Sequence, residues 1–144
     1  GTDMSLGYDQ IQAAVSAQIG LLAGFKEAPT LPSYFGRIQN TLAHKGFVVG
    51  VPNSQQMPER QRGVLYVSSN IQVKFAYRLR PHDAYPLDYK NALLAEKQVT
   101  QQVLLSYQSI QQGIQIRFES ASREATDSTE YTIHTINFII YHSL

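Results

Sequence analysis

The sequence contains no cysteine and no tryptophan, and it is poor in charge. Without cysteine the chain forms no disulfides, no thiolate metal sites and no cysteine nucleophile. Twelve Lys and Arg oppose 11 Asp and Glu, and a net charge of +1 excludes a strong overall field toward nucleic acid or a membrane surface. No apolar run approaches the roughly 18 residues that span a bilayer. These absences remove thiol redox chemistry and membrane-spanning functions from consideration.

What the sequence does contain indicates a globular protein. Hydrophobic residues make up 43% of the 144 residues and charged residues only 16%, while there are 15 glutamines. A chain of this length buries about two-thirds of its extended surface, which is enough for one core. We therefore expect a single domain over residues 4–144, with residues 1–3 as a cloning remnant before Met4. A surface of uncharged polar groups suits packing against copies of the same chain.

Apolar periodicity predicts two helices. Tyr8, Ile11, Val15, Ile19 and Leu22 recur at steps of three and four, which indicates an amphipathic helix over about residues 5–23. A second stripe, with Ala92, Ala95, Val99 and Val103, predicts a helix from Tyr89 to about Tyr107 with Asp88 as its N-cap. Residues 25–45, which include two prolines, are consistent with either a loop or a short helical stripe.

Alternation with a period of two predicts four strands. A short one covers residues 47–51, and a long one covers 65–80, with apolar residues on one parity. A third covers 114–119, and the last covers 131–142. Polar connections are expected at 52–63 and 121–129. The last strand carries Ile136, Phe138 and Ile140 on one face and Ile133, Ile139 and Tyr141 on the other, as expected for a central strand or one covered by a second chain.

The predicted order is therefore helix, strand, strand, helix, strand, strand. Four strands joined by short connections, with two helices available to cover one face, predict an α+β fold. We expect a two-layer sandwich in which two helices cover a four-stranded, mainly antiparallel sheet (order αββαββ).

Motifs for catalysis or cofactor binding are not found. The sequence has no nucleophile elbow, phosphate-binding loop, dinucleotide fingerprint or H-E-x-x-H pair. His134 and His142 share a strand parity but lie about 27 Å apart in an extended strand, too far to chelate one ion. Glu96 lies near the apolar stripe of its helix, where a salt bridge to a sheet arginine is favoured over catalysis. We predict no catalytic residue, metal or cofactor.

One charge pattern has a geometry worth testing. Lys74, Arg78 and Arg80 occupy the polar parity of the long strand, and Arg60 and Arg62 lie in the connection before it. These residues fit either a passage that contacts DNA phosphates without sequence recognition or a solvated sheet face. The solvated face is favoured because no aromatic residues alternate with the basic ones.

The order of elements, together with several local stretches, resembles the tail terminator (tail completion) proteins of long-tailed bacteriophages and prophages. The resemblance covers nearly the whole chain from residue 4 and is carried by residues 8–15, 44–49, 71–75, His82-Asp83 and 136–141. It implies a non-enzymatic protein that forms a ring, usually a hexamer, on the end of the tail tube, stops tube polymerisation and helps to join the tail to the head.

The implied partners are copies of the chain, the tail tube protein and the head connector protein, and the basic residues leave open the passage of DNA without sequence recognition. The implied location is the cytoplasm of the bacterial host and then the head–tail junction of the virion. Alternatives are a head–tail connector or minor tail protein, and a module that binds a small molecule. We predict subunit or tube contacts at Arg60, Arg62, Lys74, Arg78, Arg80, Ile133, Ile139 and Tyr141. The long strand with its 52–63 connection would form one patch and the last strand the other.

Overall fold

The structure is a computed structural model that describes residues 6–28, 42–57, 65–106, 115–126 and 130–144. Arg60 and Arg62 lie outside these ranges. The elements are α1 (Tyr8–Ile19), β1 (Lys26–Glu27), β2 (Gly46–Gln56), β3 (Tyr66–Arg78), a short 3-10 helix (His82–Ala84), α2 (Tyr85–Leu104), β4 (Gln115–Ala125) and β5 (Tyr131–Ser143).

The sheet corrects the predicted architecture. It has five strands in the order β1-β2-β3-β5-β4, and it is mixed because β1 runs parallel to β2 while the other pairs are antiparallel. The prediction of a four-stranded, mainly antiparallel sheet was therefore wrong, although the α+β class is compatible with the structure. The fifth strand has only two residues, Lys26 and Glu27, and both are exposed. Such a strand has no periodicity to detect, because pairing with β2 alone defines it.

One face of the sheet forms the core with both helices. Side chains from α1 and α2 meet the inward-facing residues of β2, β3 and β5 in a single cluster. The stripes predicted for the two helices supply this contact: Ile11, Val15 and Ile19 from α1, and Ala95, Val99 and Val103 from α2, are buried. We call this side of the sheet the helix side, and the opposite side, which neither described helix contacts, the open face.

β5 lies between β3 and β4, which confirms that it is an interior strand. Its even-numbered residues are all buried and its odd-numbered residues are all half-buried. Ile136, Phe138 and Ile140 thus belong to the core, while Ile133, Ile139 and Tyr141 lie on the open face. The predicted partition of the last strand between two faces is confirmed.

Two strands are longer than predicted because each contains a bulge. β2 continues through Pro52 to Gln56, with a register shift between Gly50 and Asn53. β4 continues to Ala125, with a shift between Phe118 and Ser120. A bulge absorbs one residue and reverses the alternation beyond it, so a strict period of two ends each strand too early. Much of the polar stretch at 52–63 and of that at 121–129 is strand instead of loop.

The helix ends also differ from prediction. α2 begins at Tyr85, with Pro86 in its first turn, so that Asp88 lies inside the helix and does not cap it. At α1 the backbone N–H of Gly7 donates to Oε1 of Gln10 at 2.7 Å, whereas the predicted cap, Ser5, lies outside the described residues. Of the described helices, neither combines the length and apolar character needed to cross a membrane.

Candidate functional site

The open face unites five of the predicted contact residues. Ile133, Ile139 and Tyr141 of β5 share it with Lys74 and Arg78 of β3, whose register partners are Thr135 and Tyr131. Ile139 and Tyr141 are neighbours on this face, but Ile133 lies six residues away, about 20 Å along the strand. The face therefore carries two apolar positions at one end and one at the other, with Lys74 between them. Burial lowers the pKa of the Lys74 ammonium, and the Glu124 carboxylate partly offsets this shift.

The middle of the open face is a row of hydrogen-bonded amides. Gln72 Nε2 donates to Asn137 Oδ1 at 3.2 Å, and Asn137 Nδ2 donates to Ser120 Oγ at 3.2 Å. These bonds link β3, β5 and β4 and hold the amides in fixed orientations. Beside the row, the Oδ1 atom of Asn70 is buried and accepts no hydrogen bond from the described residues.

One end of the open face is closed by a small apolar cluster. Val48 and Ala76 are buried there, and Ala28, Leu42 and Tyr131 pack against them. Ile133 is the register partner of Ala76, so it borders this cluster. The end with Ile139 and Tyr141 is therefore the part of the face better suited to docking.

The predicted basic row does not exist as one surface. Arg80 lies beyond β3 and turns to Asp88 of α2, to which it donates from Nε and Nη2 at 2.9 and 2.8 Å. The backbone N–H of Arg80 adds a third bond to Asp88, at 2.8 Å. The hydrogen bonds from Arg80 lower the pKa of the Asp88 carboxyl to about 2. Arg80 thus joins the end of β3 to the first turns of α2, whereas Arg78 shares the open-face parity of β3 with Lys74 and is the register partner of Tyr131.

Arg78 and Arg80 instead line a groove at the end of β3. The groove has a volume of about 360 Å³, and its other lining residues are His44, Tyr77, Asp88 and Asn91. The His44 ring meets Tyr77 edge to face at 4.5 Å between ring centres, and its Nδ1 accepts the backbone N–H of Arg78 at 3.1 Å. Burial lowers the pKa of His44, and the Lys45 ammonium acts in the same direction. Arg78 is an exposed residue.

A buried charge network joins α2 to the sheet. Glu96 Oε1 accepts from His134 Nδ1 at 2.7 Å and from Arg123 Nε at 2.8 Å, while Arg123 Nη2 contacts Oε2. Desolvation is the largest influence on the pKa of Glu96 and raises it, but the hydrogen bonds from Arg123 and His134 outweigh it, so the net shift is downward. The salt bridge predicted for Glu96 with a sheet arginine is confirmed. Its partner was missed because Arg123 was assigned to a loop.

His142 takes part in a second buried chain of hydrogen bonds. Its Nδ1 donates to the Ser143 carbonyl at 3.1 Å, so Nε2 accepts from Ser69 Oγ at 2.7 Å. Ser69 Oγ in turn lies 2.7 Å from Ser54 Oγ. A serine hydroxyl on a neutral imidazole is the first half of a nucleophilic pair, but Ser69 is only 1% exposed, which leaves no room for a substrate carbonyl. The arrangement favours a structural role.

A signal for both histidines was present in the sequence. His134 and His142 share the parity of Ile136, Phe138 and Ile140, which places them on the core side of β5.

The described residues contain no cluster of three or more acidic and histidine side chains that fits a metal ion.

The second surface of interest is the outer edge of β4. Among the strands that the structure describes, β4 has one neighbour, β5, and nine of its 11 residues are exposed. Phe118 on this strand is 50% exposed, and its ring touches only the edge of the core, 6.2 Å from the ring of Phe138. An exposed strand edge presents unpaired N–H and C=O groups to any neighbouring chain.

Comparison with protein-family models and with curated proteins finds no match to this chain.

Proposed function

We propose that this chain is a non-enzymatic assembly protein of a phage or prophage tail, which forms a ring on the end of the tail tube, stops its polymerisation and helps to join it to the head. The resemblance carried by residues 8–15, 44–49, 71–75, 82–83 and 136–141 suggests this role. The proposed partners are copies of the chain, the tube protein and the head connector.

The observation that carries the proposal is the open face of the sheet. Both described helices cover the opposite side, whereas Ile139 and Tyr141 remain half-buried on the open face beside the hydrogen-bonded row of Gln72, Asn137 and Ser120. Apolar side chains interspersed with uncharged hydrogen-bonding groups are typical of a surface that packs against another protein. The low content of charged residues, 16%, removes much of the repulsion that would oppose such packing.

The buried histidines support a role without bond-making chemistry. Each has its ring nitrogens engaged inside the core, His134 with Glu96 and Thr132 and His142 with Ser69 and Ser143. Catalytic imidazoles must reach a substrate proton within hydrogen-bond distance. Both rings are instead used to satisfy buried polar groups.

The test is to locate the chain in particles. Immunogold labelling of virions or tail-like particles from the strain that encodes it should mark the joint between head and tail. Deletion of its coding sequence should give tubes of excessive and variable length with heads left unjoined. Label on the capsid or tail tip, or normal tails in the deletion strain, would contradict the proposal. Label at the joint with tubes of normal length would instead favour a connector or minor tail protein.

A second candidate, a module that binds a small molecule, is favoured by the groove at the end of β3. Its volume of about 360 Å³ is near the lower end of the usual range for ligand sites. Arg78 and the Tyr77 hydroxyl supply polar groups beside aromatic surface. A thermal-shift screen with small carboxylates and phosphates tests this candidate. A shift that is lost in Arg78→Ala supports it, and the absence of any shift opposes it.

A further inference from the structure

We propose that neighbouring copies of the chain join edge to edge, with residues 115–120 of β4 adding as an antiparallel strand to residues 50–56 of β2 in the next copy. This inference rests on the proposed function, because it supplies the contact from which a ring is built. It differs from the predicted patches: β3 and β5 are interior strands that offer a face but no edge, whereas the β2 edge proposed here includes residues 52–56 of the predicted 52–63 connection.

The two edges of the sheet are open at the same level. Asn53 of β2 pairs with Asn70 of β3, and Asn70 pairs with Ile139 of β5. Ile139 in turn pairs with Arg117 of β4, so Asn53 and Arg117 lie at the same level of the sheet. By the same steps Gln55 is level with Gln115. At the other end of β2 the short strand β1 pairs with Gly46 and Phe47, and this end is level with Arg123. Within the described ranges, residues 50–56 of β2 have no strand beyond them, so the open part of this edge lies level with residues 115–120.

The strand directions suit a ring. β2, β3, β5 and β4 alternate in direction, so β4 runs opposite to β2. Rotation about an axis along the strands preserves these directions in every copy. The next copy therefore presents its β2 antiparallel to β4, which is the pairing with perpendicular hydrogen bonds. Such a contact joins two different patches of the chain, as closure into a ring requires.

The side chains at the two edges complement each other. On the helix side of β4, Phe118 is 50% exposed, and at this level β2 carries Val51 and the exposed Pro52. Pairing places apolar surface from the three residues together and removes part of it from water. The charges of Arg117 and Glu119 meet a segment of β2 whose polar residues are uncharged asparagine, serine and glutamine. This pairing brings no like charges together. The side chains of Arg117 and Glu119 lie beside polar groups of β2 that can accept and donate hydrogen bonds.

β4 has features that limit pairing with a second β4. Its bulge between Phe118 and Ser120 interrupts the alternation, so two β4 strands match faces over only a few residues, whereas β2 has its own bulge at the same level, between Gly50 and Asn53. Arg123 is directed to Glu96 inside its own copy. These features favour β2 of the next copy as the partner over β4 itself.

The cysteine-free chain allows a direct test by disulfide formation. Arg117→Cys is combined with Asn53→Cys, and in a second variant with Gln55→Cys to sample the neighbouring register. Opposed residues in an antiparallel pair lie about 4.5–5.5 Å apart, within the range for a disulfide. Within one copy β2 and β4 are separated by three strand spacings, roughly 14 Å, so every disulfide joins two copies.

Mild oxidation at high protein concentration should give a ladder of dimers, trimers and larger species in at least one double variant, resolved by non-reducing electrophoresis. The matched control, Leu94→Cys with Asn53→Cys, places one cysteine on exposed α2 surface and should give several-fold less cross-linking. Thermal melting of the reduced variants checks that they are folded. No cross-linking above the control in either double variant would overturn the proposal. If Arg117→Cys alone formed dimers as efficiently as either double variant cross-links, the proposal would also be overturned, because the cross-link would not depend on a cysteine in β2.

The outcomes for the contact and for the function are separable. A ladder of cross-linked species, together with immunogold label away from the head–tail joint, would support the edge contact and contradict the proposed tail function. Immunogold label at the joint without a ladder of cross-linked species would support the proposed function and contradict the edge contact.

Discussion

Glu96 of α2 and His134 of β5 are joined by a 2.7 Å hydrogen bond across the interface between helix and sheet. The imidazole is fully buried, stacks on Phe75 at 4.8 Å between ring centres, and accepts from the Thr132 hydroxyl at 3.3 Å. Arg123 completes the network from the edge strand. An imidazole in the core is compatible with folding because both ring nitrogens are satisfied, and the carboxylate that satisfies one of them is itself held by a guanidinium.

Glu96→Gln should lower the free energy of unfolding by about 2–3 kcal/mol, because it leaves Arg123 without its carboxylate and weakens the bond to His134. Urea denaturation followed by circular dichroism measures the change. Glu119→Gln is the matched control, since Glu119 is exposed on the same side of the molecule and should change stability by less than about 0.5 kcal/mol. Equal losses in the two variants would show that the network does not stabilise the fold.

The buried histidines make stability depend on pH. Burial lowers the pKa of His134 below its usual 6.5, and that of His142 in the same way. The unfolded chain then binds more protons than the folded one, so stability is complete above pH 6.5 and declines as the pH falls toward the folded-state values. The lowered pKa of Glu96 adds a second loss below its usual 4.5.

His134→Gln tests this dependence. The variant will be less stable at every pH, but its stability should fall less steeply than that of the unmodified chain as the pH drops below 6.5. Urea midpoints at a series of pH values give the two slopes. Parallel profiles would mean that His134 does not carry the pH dependence.

Asp88→Asn should loosen the junction between β3 and α2. The carboxylate accepts three hydrogen bonds from Arg80, and the amide keeps one acceptor oxygen in their place. Hydrogen exchange should become faster at residues 79–90 and stay unchanged in β5. Asp83→Asn, in the exposed 3-10 helix nearby, serves as the control. Unchanged exchange in Asp88→Asn would show that the pair with Arg80 does not hold the helix start.

Charge-reversal variants distinguish the roles of Arg78 and Arg80, which the sequence analysis assigns to one basic row. Arg78→Glu alters an exposed side chain at the groove rim, so the fold should be retained while head–tail joining is weakened if this rim contacts a partner. Arg80→Glu places a second carboxylate against Asp88 and should lower the melting temperature. Counts of joined particles and melting curves for both variants give the comparison. Normal joining by Arg78→Glu would remove this rim from the contact surfaces.

The sequence predicted the parts of the fold that depend on periodicity alone. The helix stripes ending in Ile19 and Val103, and the two faces of β5, follow from spacing because each long element buries one face. The two-residue strand at Lys26 and the continuation of β2 and β4 beyond their bulges depend on the neighbouring strand, and a local pattern does not contain that information. Arg80 and Arg123 were misplaced for the same reason: their carboxylate partners lie on α2, whose position over the sheet is a property of the tertiary fold.

Two isoleucines three residues apart on β5 should separate stability from assembly. Ile136 is fully buried under the helices, so Ile136→Ala should cost about 2–5 kcal/mol of unfolding free energy. Ile139 lies half-buried on the open face, and Ile139→Ala should cost less than about 1 kcal/mol in the isolated chain. If the open face docks on the tail tube or the head, Ile139→Lys should abolish joining in particles while the chain remains folded. Efficient joining by a folded Ile139→Lys variant would exclude this end of the face from the contact, because a buried interface does not accept an unpaired lysine without loss.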